Sequence, residues 1–235
     1  APVHGRGALL MTMRARPSSR GFTLIELLVA LSMMALLALM SWRGLDGMVR
    51  ARVQTETRAD EVLALQVGLS QWAADLDAIV QTPQLNALDW NGSVLRMTRR
   101  SSAAATDGVL VVAWTRRVVD GRGVWLRWQS PALTGRDALA DAWQQASIWA
   151  QNAGDEQKRF EVAVVPLDEW QIFYFRSDAW TNPLSSDAAG GTTVSTGSSN
   201  IPDGVRLVLQ LPAGQALAGK LTRDWVRPTV SGGKS

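Results

Sequence analysis

The sequence has no cysteine and a single histidine among its 235 residues. Without cysteine there is no disulfide framework, thiolate nucleophile, zinc ribbon or iron-sulfur cluster. The histidine is His4, close to the N-terminus, so the rest of the chain has neither an imidazole nor a thiol. Ser-His and Cys-His triads and histidine-ligated metal sites are therefore excluded from all of the chain beyond that stretch.

Acidic residues are missing from positions 1–21, a stretch that contains four arginines, Arg6, Arg14, Arg16 and Arg20. The whole chain has 24 Lys and Arg against 21 Asp and Glu, a formal net charge of +3. Without those four arginines the balance is 20 against 21, or about −1. The basic excess thus belongs to the N-terminal stretch. The pairs Arg99-Arg100 and Arg116-Arg117 have no interleaved aromatic residues, so we predict no nucleic-acid partner.

Residues 22–40 form the one long apolar run, FTLIELLVALSMMALLALM. As a helix rising about 1.5 Å per residue it spans roughly 28 Å, close to the hydrocarbon thickness of a bilayer. We predict a single-pass transmembrane segment. The preceding arginines favour a cytoplasmic N-terminus and place the C-terminal part of the chain across the membrane.

Two ordinary explanations of this run are a secretory signal peptide and an uncleaved anchor. The run is longer than the 7 to 15 apolar residues of a signal peptide, and no A-x-A site follows it. Against a plain anchor stands Glu26, because a carboxylate in hydrocarbon is costly and is retained where something pairs with it.

The sequence Arg20-Gly21-Phe22-Thr23-Leu24-Ile25-Glu26-Leu27 resembles the processing site of prepilins, the family of type IV pilins and type II secretion pseudopilins. The resemblance implies that a prepilin peptidase cleaves after Gly21 and that Phe22 becomes the N-methylated first residue of the mature chain. It implies that Glu26 neutralises a cationic terminal amine during filament assembly. A carboxylate and an amine that are both in lipid stabilise each other.

Beyond Met40 the helical pattern continues, with apolar residues on one face: Leu65, Leu69, Trp72, Leu76 and Ile79. We predict one helix over 22–81, interrupted near Gly44 and Gly47 and ended by Thr82-Pro83. The expected division is a leader at 1–21, a transmembrane segment at 22–40, an amphipathic helical spine at 41–82, a β-rich head at 83–226 and a flexible tail at 227–235.

The head is predicted to be antiparallel β-sheet, which makes the fold class α+β with a long N-terminal helix packed on the sheet. Asp120-Gly121-Arg122-Gly123 is typical of a hairpin turn. A helix is expected at Asp137–Ala150, and a mobile loop at 184–200. The expected strands are Ser93–Thr98, Val109–Thr115, Val124–Gln129, Phe160–Val165, Glu169–Arg176 and Val205–Leu211.

Three head segments, Val165–Phe175, Asp178–Trp180 and Ile201–Leu207, resemble the J-class minor pseudopilin of type II secretion, as does Trp42–Asp46. The resemblance implies a non-catalytic tip subunit that helps to initiate the pseudopilus. It implies as partners the I-class and K-class minor pseudopilins, the major pseudopilin, the prepilin peptidase and the inner membrane, with the head in the periplasm. A minor pilin of a type IV pilus is the close alternative.

Other candidate sites give weaker signals. Most tryptophans are expected in the core, and Trp180, beside Asn182 and Pro183, is the interface candidate. The acid pairs Asp75/Asp77 and Asp168/Glu169 are interpreted as solvated rather than as a calcium or glycosidase site. We therefore expect no cofactor, no metal and no enzymatic activity; a membrane-anchored periplasmic enzyme that uses carboxylates is the remote alternative.

Overall fold

The computed structural model describes residues 21–82, 85–101, 108–185 and 201–228. The chain divides into two compact units, Ala1–Val53 and Gln54–Ser235. Helix α1, Leu24–Asp77, begins in the first unit and ends in the second. The remaining helices and all strands of the described residues belong to the second unit, so the fold is a long N-terminal helix followed by antiparallel sheets.

In the first unit, α1 starts directly after Phe22 and Thr23, and the Thr23 carbonyl accepts hydrogen bonds from the amides of Glu26 and Leu27. The predicted interruption at Gly44 and Gly47 is wrong, because α1 is helical through both residues. Each glycine costs only about 1 kcal/mol of helix propensity, which long helical flanks on either side offset.

The described residues of the second unit form two further helices and nine strands. The helices are α2, Arg136–Asn152, and α3, Asp155–Lys158. The strands are β1 Leu88–Trp90, β2 Val94–Arg100, β3 Val109–Val119, β4 Arg122–Gln129, β5 Glu161–Pro166, β6 Glu169–Arg176, β7 Ala179–Thr181, β8 Gly204–Leu211 and β9 Gly219–Val226.

The strands form two antiparallel sheets. The first has the order β1-β2-β3-β4-β5 and the second the order β7-β6-β8-β9. The chain passes between them at Leu167 and Asp168: the Leu167 amide donates to the Gly123 carbonyl of β4, and the Asp168 amide donates to the Gln210 carbonyl of β8. The sequence predicted β5 and β6 as strands but did not predict that they belong to different sheets.

Alternate residues along the first sheet enter two different cores. One face packs with α1 and the second sheet. The core between them includes Trp72 and Leu76 of α1, Trp114 of β3 and Leu207 of β8. The other face packs with α2 in a core that contains Leu126, Trp128, Trp143 and Trp149. Because strand side chains alternate in direction, a sheet covered on both faces requires apolar residues at successive positions, as in Val111-Val112-Ala113-Trp114 of β3.

Several boundaries differ from those predicted. Helix α1 ends at Asp77, not at Gln81, because the backbone of the next residues is bound by β2: the Val80 amide donates to Thr98, and Ile79 bridges to Arg99. Pro83, the expected helix breaker, lies outside the described residues, as do positions 186–200 of the expected loop and 229–235 of the tail.

The turn at Asp120-Gly121 is confirmed. Both residues have positive φ, 49° and 77°, and they join β3 to β4 with Val119 opposite Arg122. A two-residue hairpin loop favours this conformation, and Asp-Gly adopts it readily. The predicted helix at 137–150 is also confirmed, with Leu139, Trp143 and Ala146 buried in α2.

Candidate functional site

The N-terminal candidate site lies where the extended chain enters α1. Gly21, Phe22 and Thr23 precede the helix, and Glu26 lies in its first turn. Phe22 is 83% exposed, so neither it nor the Gly21–Phe22 bond is covered by the described residues. An accessible, non-helical peptide bond is the form that a peptidase requires.

Glu26 is exposed and forms no ion pair within the residues that the structure describes. At a helix N-terminus a carboxylate is favoured by the unpaired backbone amides of the first turn. Cleavage after Gly21 would create a terminal amine four residues before Glu26. The arrangement thus offers a carboxylate beside the position at which a new cation would form.

Around Glu26 the helix surface is apolar on every side. All of residues 22–40 are exposed, among them Leu24, Leu28, Met34 and Leu37. Among the described residues, α1 is the one helix long and apolar enough to cross a membrane. A helix that is apolar all round needs lipid or other apolar helices as its surroundings. The segment therefore supports membrane anchoring of the chain.

The prediction that Asp75 and Asp77 are solvated is wrong for Asp75, whereas Asp77 is exposed as predicted. Asp75 is fully buried. Its carboxylate accepts hydrogen bonds from Arg127 Nε and Nη2, both at 2.8 Å, from Trp114 Nε1 at 3.0 Å, from Gln71 Nε2 at 2.9 Å and from Arg99 Nη1 at 2.5 Å. With its acceptor sites occupied by protein donors, this carboxylate has a structural role: it joins α1 to β2, β3 and β4.

Asp77 joins the same helix to the second sheet. Its Oδ1 accepts a hydrogen bond of 2.7 Å from Nε1 of Trp225 on β9. The last turn of α1 therefore uses one carboxylate for each sheet. A signal for Asp75 was present in the sequence, since an acid three residues after Trp72 and next to Leu76 lies on the apolar face of the helix.

The other acid pair, Asp168/Glu169, is exposed as predicted. Each of the two basic pairs, Arg99-Arg100 and Arg116-Arg117, has one arginine in an ion pair. Arg99 binds Asp75, and Nη2 of Arg117 donates a hydrogen bond of 2.6 Å to Oε2 of Glu161. No group of three or more metal-ligating acids occurs within the described parts of the chain.

Trp180, the interface candidate, lies on β7 and is half-buried. Its ring packs against Phe175 at 5.2 Å between centroids, and the guanidinium of Arg206 lies 4.1 Å above it. Gly204 leaves room for the ring, because a Cβ there would lie 3.2 Å from it. Whether Trp180 contacts another protein stays a prediction.

Arg206 is held in place by Asp224 on the neighbouring strand β9. Arg206 Nε and Nη2 each donate a hydrogen bond of 2.7 Å to the two oxygens of Asp224. These bonds raise the pKa of Arg206 and lower the pKa of the Asp224 carboxyl. The pair is charged over the whole physiological range and orients the guanidinium over Trp180.

Most of the 11 tryptophans are buried, as expected. Trp125, Trp128, Trp143 and Trp149 are all core residues, whereas Trp170 is half-buried beside Trp90. Trp72, predicted on the apolar face of the helix, is fully buried in the core. Two tryptophans that the prediction did not single out, Trp114 and Trp225, bind the α1 carboxylates.

Comparison with known families agrees with the N-terminal geometry. Residues 16–42 match the family described as Prokaryotic N-terminal methylation motif. The match includes Gly21, Phe22 and Glu26 and the whole apolar run, and it supports a pilin-like or pseudopilin protein. Searches of curated proteins and of solved structures found no match.

Proposed function

We propose that this chain is a minor pseudopilin of a type II secretion system, most similar to the J class, and that it acts at the tip of the pseudopilus. The observation on which the proposal rests is the methylation motif at the start of an exposed apolar helix. In this role the chain is a structural subunit with no enzymatic activity.

The proposed life cycle follows from the site. The arginines of the leader keep the N-terminus cytoplasmic, prepilin peptidase cleaves after Gly21, and Phe22 is methylated. The apolar helix holds the subunit in the inner membrane with its head in the periplasm. Glu26 pairs with a terminal amine, its own or a neighbouring subunit's, as the subunit enters the filament.

The positions of three head segments support the J-class assignment. The segments that resemble the J class fall on neighbouring strands: Glu169–Arg176 is β6, Trp180 lies on β7 and Gly204–Leu207 begins β8. Gly204 and Arg206 both contact Trp180 there. We propose the I-class and K-class minor pseudopilins and the major pseudopilin as partners of this subunit.

The Glu26→Ala substitution tests the assembly role in a strain that lacks the chromosomal gene. We expect the variant to be cleaved normally but to restore less than about a tenth of protein export, because a terminal amine in lipid loses its counter-charge. Export is measured as the secreted fraction of a substrate. The matched control is Glu156→Ala, which removes an exposed carboxylate from α3.

Full export by Glu26→Ala would contradict the charge-pairing role. The alternative, a type IV minor pilin, predicts a different deletion phenotype: export is normal and surface piliation or twitching is lost. A neighbouring gene cluster with a secretin and a secretion ATPase would favour the pseudopilin, and adhesin or retraction genes would favour the pilus.

A further inference from the structure

A groove of about 550 Å³ lies between the two sheets of the second unit. One wall is the β1–β2 connection of the first sheet, with Trp90, Gly92 and Ser93. The other wall is the start of β6 in the second sheet, and Asn182 and Leu184 lie at its margin. The N-terminal processing motif has no part in it.

The β6 wall of this groove is a sheet edge without a partner strand. From Glu169 to Phe175, β6 pairs with β8 on one side. On its other side β7 pairs only with the last three residues, Tyr174–Arg176. Among the described residues, no strand pairs with Glu169–Phe173 on that side.

The register shows which backbone groups face the groove. The Phe175 carbonyl accepts a hydrogen bond from the Asp203 amide, on the β8 side of the strand. Because the backbone groups of successive strand residues alternate between the two neighbours, Trp170 and Ile172 direct their N–H and C=O groups to the other side. These two residues line the groove.

The shape of the edge matches an extended peptide. Five residues of strand, Glu169–Phe173, are about 17 Å long, and alternate donors and acceptors along them are those that an added strand satisfies. Side chains of an added strand that pointed inward would meet Trp90 and Arg116. An unpaired edge of this kind is a template for strand addition.

Aromatic residues in a groove also suggest a saccharide, but the rings are not arranged for one. Trp90 and Trp170 pack edge to face, with their centroids 4.7 Å apart, and Trp90 is only 8% exposed. The buried Trp90 therefore presents no free flat face to a sugar ring, and the two rings are not coplanar, as a shared stacking platform would require. The open backbone edge favours a peptide over a carbohydrate.

Two carboxylates at one end of the groove favour a basic side chain on the bound segment. The carboxylates of Asp168 and Glu169 are exposed, and neither forms an ion pair within the part of the chain that the structure describes. Arg116 uses its Nε to bind the Leu167 carbonyl. A basic side chain on the incoming segment would meet the two acids.

We propose that this groove binds an extended segment of a partner polypeptide, which adds as a strand alongside Glu169–Phe173 and places a basic side chain beside Asp168 and Glu169. The inference concerns the second unit alone and is independent of the prepilin assignment. Correct processing of the N-terminus says nothing for or against it.

The test uses the full chain in detergent micelles and the end-blocked peptide Lys-Val-Thr-Val-Thr-Val as the probe. We expect it to bind and to slow hydrogen exchange at the amides of Trp170 and Ile172. Two N-methylated versions of the peptide serve as a matched pair. In one, the methyl groups are on the alternate amides that would face β6; in the other, they are on the amides that would face away. Only the first peptide should lose binding, by tenfold or more, because methylation removes the donors to the edge.

The charge preference has a matched control. The Asp168→Lys/Glu169→Lys double variant should weaken binding several-fold, whereas Asp155→Lys/Glu156→Lys, the same charge change on α3, should not. Equal unfolding midpoints would show that both variants are folded.

Four results would overturn the proposal. These are no peptide binding up to about 1 mM, equal binding of both methylated peptides, amides at Trp170 and Ile172 that are already protected in the free chain, or binding of cellohexaose in place of the peptide.

Discussion

Asp75 is the residue on which most of the polar contacts between α1 and the first sheet depend. Its carboxylate is buried and receives donors from Arg99, Trp114 and Arg127. A buried charge is tolerated only where its hydrogen bonds are complete, and removal of one partner leaves the other charges without compensation.

The Asp75→Asn substitution should therefore destabilise the folded head by about 3–5 kcal/mol, because the buried guanidinium of Arg99 and the partly buried guanidinium of Arg127 lose their counter-charge. Urea denaturation of the full chain, followed by tryptophan fluorescence, measures the loss. The matched control is Asp155→Asn, which removes an exposed carboxylate that pairs loosely with Lys158 and should cost less than about 1 kcal/mol. Equal losses in both variants would contradict a structural role for the Asp75 cluster.

The Asp224–Arg206 pair makes the stability of the folded chain depend on pH. Its pKa is lowered in the folded chain by the hydrogen bonds from Arg206. The stabilisation from this pair is therefore present above the unfolded pKa of about 3.9 and is lost as the pH falls through the lower folded value.

NMR titration of the Asp224 carboxyl should show a pKa below the ordinary range, and Arg206→Gln should return it toward about 3.9. An Asp224 pKa that Arg206→Gln leaves unchanged would contradict the stated cause.

How far the sequence predicts single residues depends on whether the signal is local. Gly21, Phe22 and Glu26 form a contiguous motif, so they could be singled out at once. The partners of Asp75 are 24, 39 and 52 residues away along the chain and come together only through sheet pairing. No spacing rule connects such residues, so the prediction that Asp75 is solvated is wrong, whereas Asp77 is exposed as predicted.

At the scale of elements, the contact of α1 with β5 depends on a small residue. Gly68 is buried, and a Cβ at its position would overlap Cγ1 of Val164 and touch the ring of Trp125. The glycine lets the helix approach the sheet closely there, which offsets its poor helix propensity.

Gly68→Ala should destabilise the head by about 1–3 kcal/mol, although alanine is the better helix former, because Val164 is stiff at χ1 and cannot move aside easily. The double variant Gly68→Ala/Val164→Ala should lose less than the sum of the two single variants. Thermal unfolding of all three chains tests this. Losses that simply add would show that the overlap with Val164 is not the cause.

Elements were predictable from sequence to the extent that they are long and apolar. All six predicted strands and α2 exist, because runs such as Val109–Val119 have a clear β-branched pattern. Three strands were missed. β1 and β7 have three residues each, and β9, Gly219–Val226, is a largely exposed edge strand with charged residues. The division into two sheets depends on a step at Leu167-Asp168 that leaves no sequence signature.

At the scale of the whole molecule, the chain combines an apolar N-terminal helix with a tryptophan-rich head. The two parts differ in where their apolar side chains lie. Residues 22–40 have no buried face, whereas the head buries its apolar residues in two cores. In the proposed function, a membrane and a filament surround residues 22–40, whereas the fold itself buries the apolar residues of the head.

The basic excess of the chain also has its explanation at this scale. It resides in residues 1–21, which a prepilin peptidase would remove together with His4. The mature chain would then have a side-chain balance of about −1 and neither imidazole nor thiol.

The most direct test of the account is the N-terminal mass of the chain produced in cells with and without an active prepilin peptidase. With the peptidase, the account predicts a chain that begins at Phe22 and is one methyl group heavier than the unmodified sequence; without it, the Gly21–Phe22 bond stays intact. A chain that keeps Gly21 in cells where the peptidase cleaves a known prepilin would contradict the account.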